Sequence, residues 1–159
     1  MKTLKMIHLL GAGLLGFLLL GGCDNAADKD TQPPEILSAG DATCPLNCQE
    51  FERGDVIPFA YSFRDNVALG AYNLEIHHNF DHHTHSTEAG ECRQDASKTP
   101  VNPWIYNKDF TIPSAAASYD AVVKIPVPTD IDPGEYHFMI RLTDQSGWQQ
   151  IRSMSIRIN

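Results

Sequence analysis

The sequence predicts an all-β fold of two packed sheets, and three observations predict it. Apolar residues recur at every second position in five separate runs, the spacing of strands that bury one face. Clusters of turn-forming residues separate those runs. No stretch after residue 22 carries the three-to-four-residue apolar period of an amphipathic helix.

Taken in order, a short first strand is expected over 34–38. Ile57, Phe59, Tyr61 and Phe63 alternate with smaller or polar neighbours and predict a strand over 55–63. Tyr72, Leu74 and Ile76 alternate with Asn73 and Glu75 in the next, over 71–79. Tyr119, Ala121, Val123, Ile125 and Val127 mark 118–127; Tyr136, Phe138, Ile140 and Leu142 mark 135–143. Met154, Ile156 and Ile158 close the chain in a strand over 148–158, with Arg157 turned the other way. Arg53-Gly54-Asp55, Asp65-Asn66, Asp132-Pro133-Gly134 and Asp144-Gln145-Ser146-Gly147 supply the turns.

With one more strand expected inside the connection 80–117, the count is about seven, as in an immunoglobulin-like β-sandwich. The six spans above then take the places of its strands A, B, C, E, F and G. Tyr136 stands where a tyrosine corner opens strand F. The 38 residues of 80–117 far exceed a hairpin loop, and loops of that length are usually functional or disordered. The prediction is therefore a sandwich with a long His-rich loop after strand C.

Residues 1–22 read as an export signal: Lys2 and Lys5, an apolar run to Leu20, then small residues before Cys23. Leu20-Gly21-Gly22-Cys23 resembles a bacterial lipobox, which implies cleavage before Cys23 and lipidation of that residue. The apolar run from Met6 to Leu20 is shorter than the roughly 20 residues a spanning helix needs. Residues 23–33 are polar and aperiodic, as a flexible tether would be, and 34–159 form the domain. The expected location is the cell envelope, with the chain lipid-anchored to the outer membrane on its periplasmic or surface face.

The sequence has 12 Lys plus Arg against 20 Asp plus Glu. Without Lys2 and Lys5 the formal charge falls from −8 to about −10, which excludes nucleic acid as a natural partner and favours cations. Cys44, Cys48 and Cys92 remain after Cys23, an odd number in a compartment where disulfides persist. The Cys44–Cys48 spacing encloses Pro45 in a cramped loop, so a Cys48–Cys92 bond is favoured, although spacing alone leaves other pairings open. Closing about 45 residues restrains the unfolded chain by about 4 kcal/mol in the entropy model.

Five of the seven histidines fall within residues 76–85, "IHHNFDHHTH". Alternation turns Glu75, His77 and Asn79 outward on strand C and leaves His78 at the core edge. On strand F it turns His137 and Met139 outward. Strands C and F are antiparallel neighbours in the expected sandwich, so His77 and His137 should meet, with Asp81, His82, His83 and His85 folding back over them. Neutral imidazole is a borderline donor that suits Zn²⁺ or Cu²⁺ rather than calcium. The expected ligand set draws on His77, His137, His83 and His85, with His82, His78 and Asp81 as further candidates. Glu75, Asp81, Glu88 and Glu91 are available to orient ring N–H groups.

The stretches "IHHNFDHHTHSTEAGEC", "KTPVNPW" and "GEYHFMIRLTDQSGWQ" together resemble a family of Bacteroidetes-type lipoproteins with an immunoglobulin-like domain of unknown function (domain of unknown function 4625). The likeness spans nearly all of 33–159. It implies an envelope lipoprotein and cysteines paired at positions 48 and 92, with Cys44 a departure from the pattern. The resemblance carries no activity. The leading expectation is thus a protein that captures, buffers or hands over zinc or copper, beside an outer-membrane transporter or another envelope protein. The alternative is a metal-independent adhesion module, with Trp104 and Tyr106 as partner contacts. A metalloenzyme fits less well. The segment His83-Thr84-His85 has His77 where a cupin pattern needs glycine, and no nucleophile sits in a Ser/His/Asp or Cys/His setting.

Overall fold

The computed structural model describes residues 29–84, 92–113 and 116–159. Among the described residues, eight strands form two sheets and the only helical element is the 3₁₀ turn Gly40–Ala42. The strands are β1 (Glu35–Ser38), β2 (Gln49–Phe51), β3 (Val56–Arg64), β4 (Leu69–His78), β5 (Tyr106–Thr111), β6 (Ser118–Pro126), β7 (Gly134–Asp144) and β8 (Gln149–Ile158). One sheet has the order β1-β3-β6 and the other β2-β8-β7-β4-β5. This is the expected sandwich, with β1, β3, β4, β6, β7 and β8 in the places of A, B, C, E, F and G. The strand expected inside the long connection is β5, which pairs with β4.

The count differs by one, because β2 was not expected. It is three residues long and runs parallel to β8, a non-local pairing that leaves no alternation to read.

The alternating residues became the core. Ile57, Phe59, Tyr61 and Phe63 from one sheet, and Leu74, Ile76, Tyr136, Phe138, Ile140 and Leu142 from the other, are all buried. The sheets lock together through stacked rings: Phe59 lies 5.8 Å from Phe138 and 6.4 Å from Tyr72, centroid to centroid. Truncating such a ring to alanine typically costs about 3–5 kcal/mol, through lost burial and the cavity left behind.

Tyr136 does form a tyrosine corner. Its hydroxyl donates to the carbonyl of Asp132 at 2.6 Å and accepts the Trp104 N–H at 3.3 Å. Trp104 is therefore buried beside Tyr136, which corrects its expected role as an exposed partner contact. Tyr106 is half-buried against Trp104.

Cys48 and Cys92 form the disulfide, with Cα atoms 5.2 Å apart. Cys44 is the leftover thiol, buried in the core beside Gln49. Burial pushes its pKa up, which keeps it protonated and unreactive.

The end of the segment read as tether does not stand clear of the domain. Asp30 is buried, and its carbonyl accepts the Trp148 indole N–H at 3.1 Å. The Trp148 ring thus reaches back from the β7–β8 turn to hold the chain ahead of β1.

Candidate metal centre

His77 is the penultimate residue of β4 and His137 the fourth of β7, and the antiparallel register sets them directly opposite each other. Since Ile76 and Phe138 face the core, period-two geometry puts both imidazoles on the outer face of the sheet. Their ring centroids are 5.4 Å apart. The chain leaving β4 then brings His83 over the pair. Its ring stacks on His77 at 5.4 Å and meets His137 edge-on at 5.1 Å. Three imidazoles therefore form a near-equilateral triangle.

Each of these rings has an oxygen beside one nitrogen. His83 Nδ1 donates to Asp81 Oδ1 at 2.5 Å, His77 Nδ1 lies 3.1 Å from Glu75 Oε1, and His137 Nε2 donates to the His83 carbonyl at 2.9 Å. At His83 and His137 the acceptor favours the proton on the nitrogen it faces and puts the lone pair on the other, Nε2 of His83 and Nδ1 of His137. The hydrogen bond from His83 also holds the Asp81 carboxyl below the usual carboxylate range.

Two expectations about exposure need correcting. His137 is only 2% exposed and His77 is half-buried, because the His83 segment lies across this face. Asn79, expected to point outward, is buried, and its N–H donates to the Glu135 carbonyl at 2.8 Å.

The other histidines do not all join the triangle. His78 takes the core-edge position expected of it, 5.0 Å from the Phe80 ring and 6.4 Å from His83. His82 turns away on a backbone with φ of 60°. Its Nε2 lies 3.8 Å from Glu135 Oε2 and its Nδ1 lies 3.3 Å from Ser97 Oγ. His85, Glu88, Glu91 and the lipidation candidate Cys23 lie outside the described residues.

The network that takes His82 is the support of this end, and nothing in the local sequence pattern signals it. Arg157 from β8 donates to Glu135 Oε1 at 3.2 Å, to Asp95 Oδ2 at 2.5 Å and to the Arg93 carbonyl at 2.9 Å. The Arg157 guanidinium holds the Asp95 carboxyl below its ordinary value. Lys98 lies 4.2 Å above the Phe80 ring and donates to the Pro133 carbonyl. With the Cys48–Cys92 bond close by in the chain, these contacts fix both ends of the His-bearing connection. Gly134 permits the fit: its φ is +132°, and a Cβ there would sit 3.0 Å from Phe80 Cε1.

Among the described residues, the one group of three His, Cys, Asp or Glu with ligand atoms all within 4.8 Å of one another is Asp30, Asp65 and Asp144. The imidazole triangle is wider, and side-chain rotation is needed before its nitrogens close on an ion.

Fold and site together define a β-sandwich domain with a histidine cluster packed on the outer face at one end of its larger sheet. The chain belongs to the family described as Domain of unknown function (DUF4625), whose model matches residues 22–159. No curated protein matches the chain.

Proposed function

We propose that this protein is a cell-envelope lipoprotein, anchored through Cys23, that binds Zn²⁺ or Cu²⁺ at His77, His83 and His137 to capture, buffer or hand over the ion. The observation that carries the reading is the triangle of imidazoles, in which His83 and His137 each hydrogen-bond one ring nitrogen to an oxygen acceptor. Metal-binding histidines are commonly oriented in this way, because the acceptor fixes the tautomer and raises ring basicity. Zinc holds imidazole nitrogens at about 2.0–2.1 Å, so loading draws the three rings inward, and a carboxylate or water completes the set. His83 is the ring best able to move, since it sits on a loop while the other two sit on a ladder. His85 is a further candidate ligand. The reading is of binding rather than catalysis, and an outer-membrane transporter is a fitting recipient for the ion.

Calorimetric titration of the purified chain with Zn²⁺ and Cu²⁺ tests the proposal, together with elemental analysis of protein made without a polyhistidine tag. Wild type should bind one ion, and the His77→Ala/His137→Ala double variant should not. Equal binding by both, or none by either, would overturn it.

A further inference from the structure

Asp30, Asp65 and Asp144 come from three places in the chain: ahead of β1, just after β3, and at the last residue of β7. The sandwich gathers them at the end opposite the histidines. One carboxylate oxygen from each lies within 4.8 Å of the other two, and all three side chains are more than nine-tenths buried.

Their hydrogen bonding divides in a consistent way. Asp65 Oδ1 accepts the N–H groups of Val67 and Ala68 at 2.8 and 2.6 Å, and Asp144 Oδ1 accepts the Trp148 N–H at 2.8 Å. Asp30 Oδ1 accepts from Gln32 N–H at 3.1 Å and from Asn66 Nδ2 at 3.2 Å. The second oxygen of each, Oδ2, is shut off from solvent and makes no hydrogen bond of ordinary geometry among the described residues, although Gln32 and, more weakly, Asn66 and the Ser146 side chain hold the Asp30 carboxyl below its ordinary pKa. Nor does any Lys, Arg or His of those residues form an ion pair with the three.

Turn chemistry explains the Oδ1 atoms but not the Oδ2 atoms. A buried carboxylate oxygen without a partner is costly, and neighbouring like charges add repulsion. A cation relieves both at once. The donors are all oxygen, with no imidazole or thiolate among them, which selects a hard ion. Calcium accepts six to eight oxygens at about 2.3–2.6 Å and tolerates irregular geometry, so backbone carbonyls and water can fill the remaining positions. An open cleft lined by Gln32, Pro33, Glu35, Arg64 and Asn66 reaches Asp65.

We propose that Asp30, Asp65 and Asp144 form a Ca²⁺ site that fastens the segment ahead of β1 to the base of the sandwich. Asp30 is the ligand that makes the site a fastener, for it alone belongs to that segment. The site stands apart from the histidine cluster and does not depend on its function.

The test uses the full-length chain in detergent, stripped with EDTA and then given CaCl₂ alone. At about 10 mM Ca²⁺ the melting temperature should rise by about 5 °C. Cleavage after Lys29 by a lysine-specific protease should slow at least tenfold. Asp65→Asn and Asp144→Asn keep the Oδ1 acceptor that shapes each turn, so both should fold. They should lose the calcium response, yet melt in EDTA at or above the wild-type temperature because a repelling charge is gone. No calcium response in wild type would overturn the proposal, as would variants that respond like wild type. A wild type stabilised by acid but not by calcium would also overturn it, since the carboxylates would then be sharing a proton.

Discussion

The two ends of the β4–β7 ladder offer different chemistry on one scaffold. Where β4 ends and β7 begins, His77 faces His137 and His83 closes over them; where β4 begins and β7 ends, Leu69 pairs with Asp144 and three carboxylates gather. Eight residues of strand, about 27 Å, separate the two. Nitrogen donors stand at one end and oxygen donors at the other, so each end suits a different class of cation. Both rely on close backbone approach at a glycine. Gly134 lets Phe80 in at the histidine end, and at the aspartate end a Cβ on Gly70 would sit 2.9 Å from the Asp144 carbonyl. The aspartates arrive pre-packed, whereas the histidines include one ring on a loop. A pre-packed site favours permanent occupancy, and a site with a movable ligand favours exchange.

The largest expected effect tests whether the histidine end depends on the ionic network beneath it. Arg157→Ala leaves Glu135 buried without its cation and should cost about 3–5 kcal/mol in urea denaturation. A loss under 1 kcal/mol would mean that the network does not support this end. Next in size, His77→Ala/His137→Ala should weaken Zn²⁺ binding at least 100-fold while leaving the calcium-dependent melting shift intact. Asp144→Asn should do the reverse, and a single lesion that abolished both responses would refute the independence of the two ends. Asp81→Asn removes only the acceptor of the His83 N–H and should lower zinc affinity about tenfold by titration, within the range usual for such orienting groups.

The smallest effects come with pH. Zinc affinity should decline below about pH 6.5, where protons compete for imidazole. Asp95 has a folded-state pKa below its ordinary 3.8, so its contribution to stability is present above that value. It is lost as pH falls through the lowered folded pKa. An acid titration of Asp95→Asn should therefore lack that component.

The strand framework was legible because alternation is a local signal: Phe59, Ile76 and Phe138 each announce an inward face from their neighbours alone. The meeting of His77 and His137 followed from that alternation plus one topological assumption, the adjacency of strands C and F. What stayed hidden was non-local or conformational. β2 is recognised only by its partner β8, and the burial of Trp104 only by the Tyr136 hydroxyl. His82 carries the same side chain as His83, but a left-handed backbone sends it to Glu135 instead. Asp30 read as tether, and Asp65 and Asp144 as turn residues. Those local roles are genuine for Asp65 and Asp144, and they mask a convergence that only the fold creates.

The docking of Asp30 beneath Trp148 sets the point where the chain ahead of β1 joins the sandwich at the aspartate end. On the proposed reading, in which lipid at Cys23 holds the chain to a bilayer, the anchored segment would join the domain at the end remote from the imidazoles. The span of about 27 Å between the aspartate end and the imidazoles is more than three times the screening length of about 8 Å at physiological ionic strength. If both proposals hold, a change in headgroup composition should leave zinc affinity unaltered, because the lipid surface charge would be screened before it reached the imidazoles.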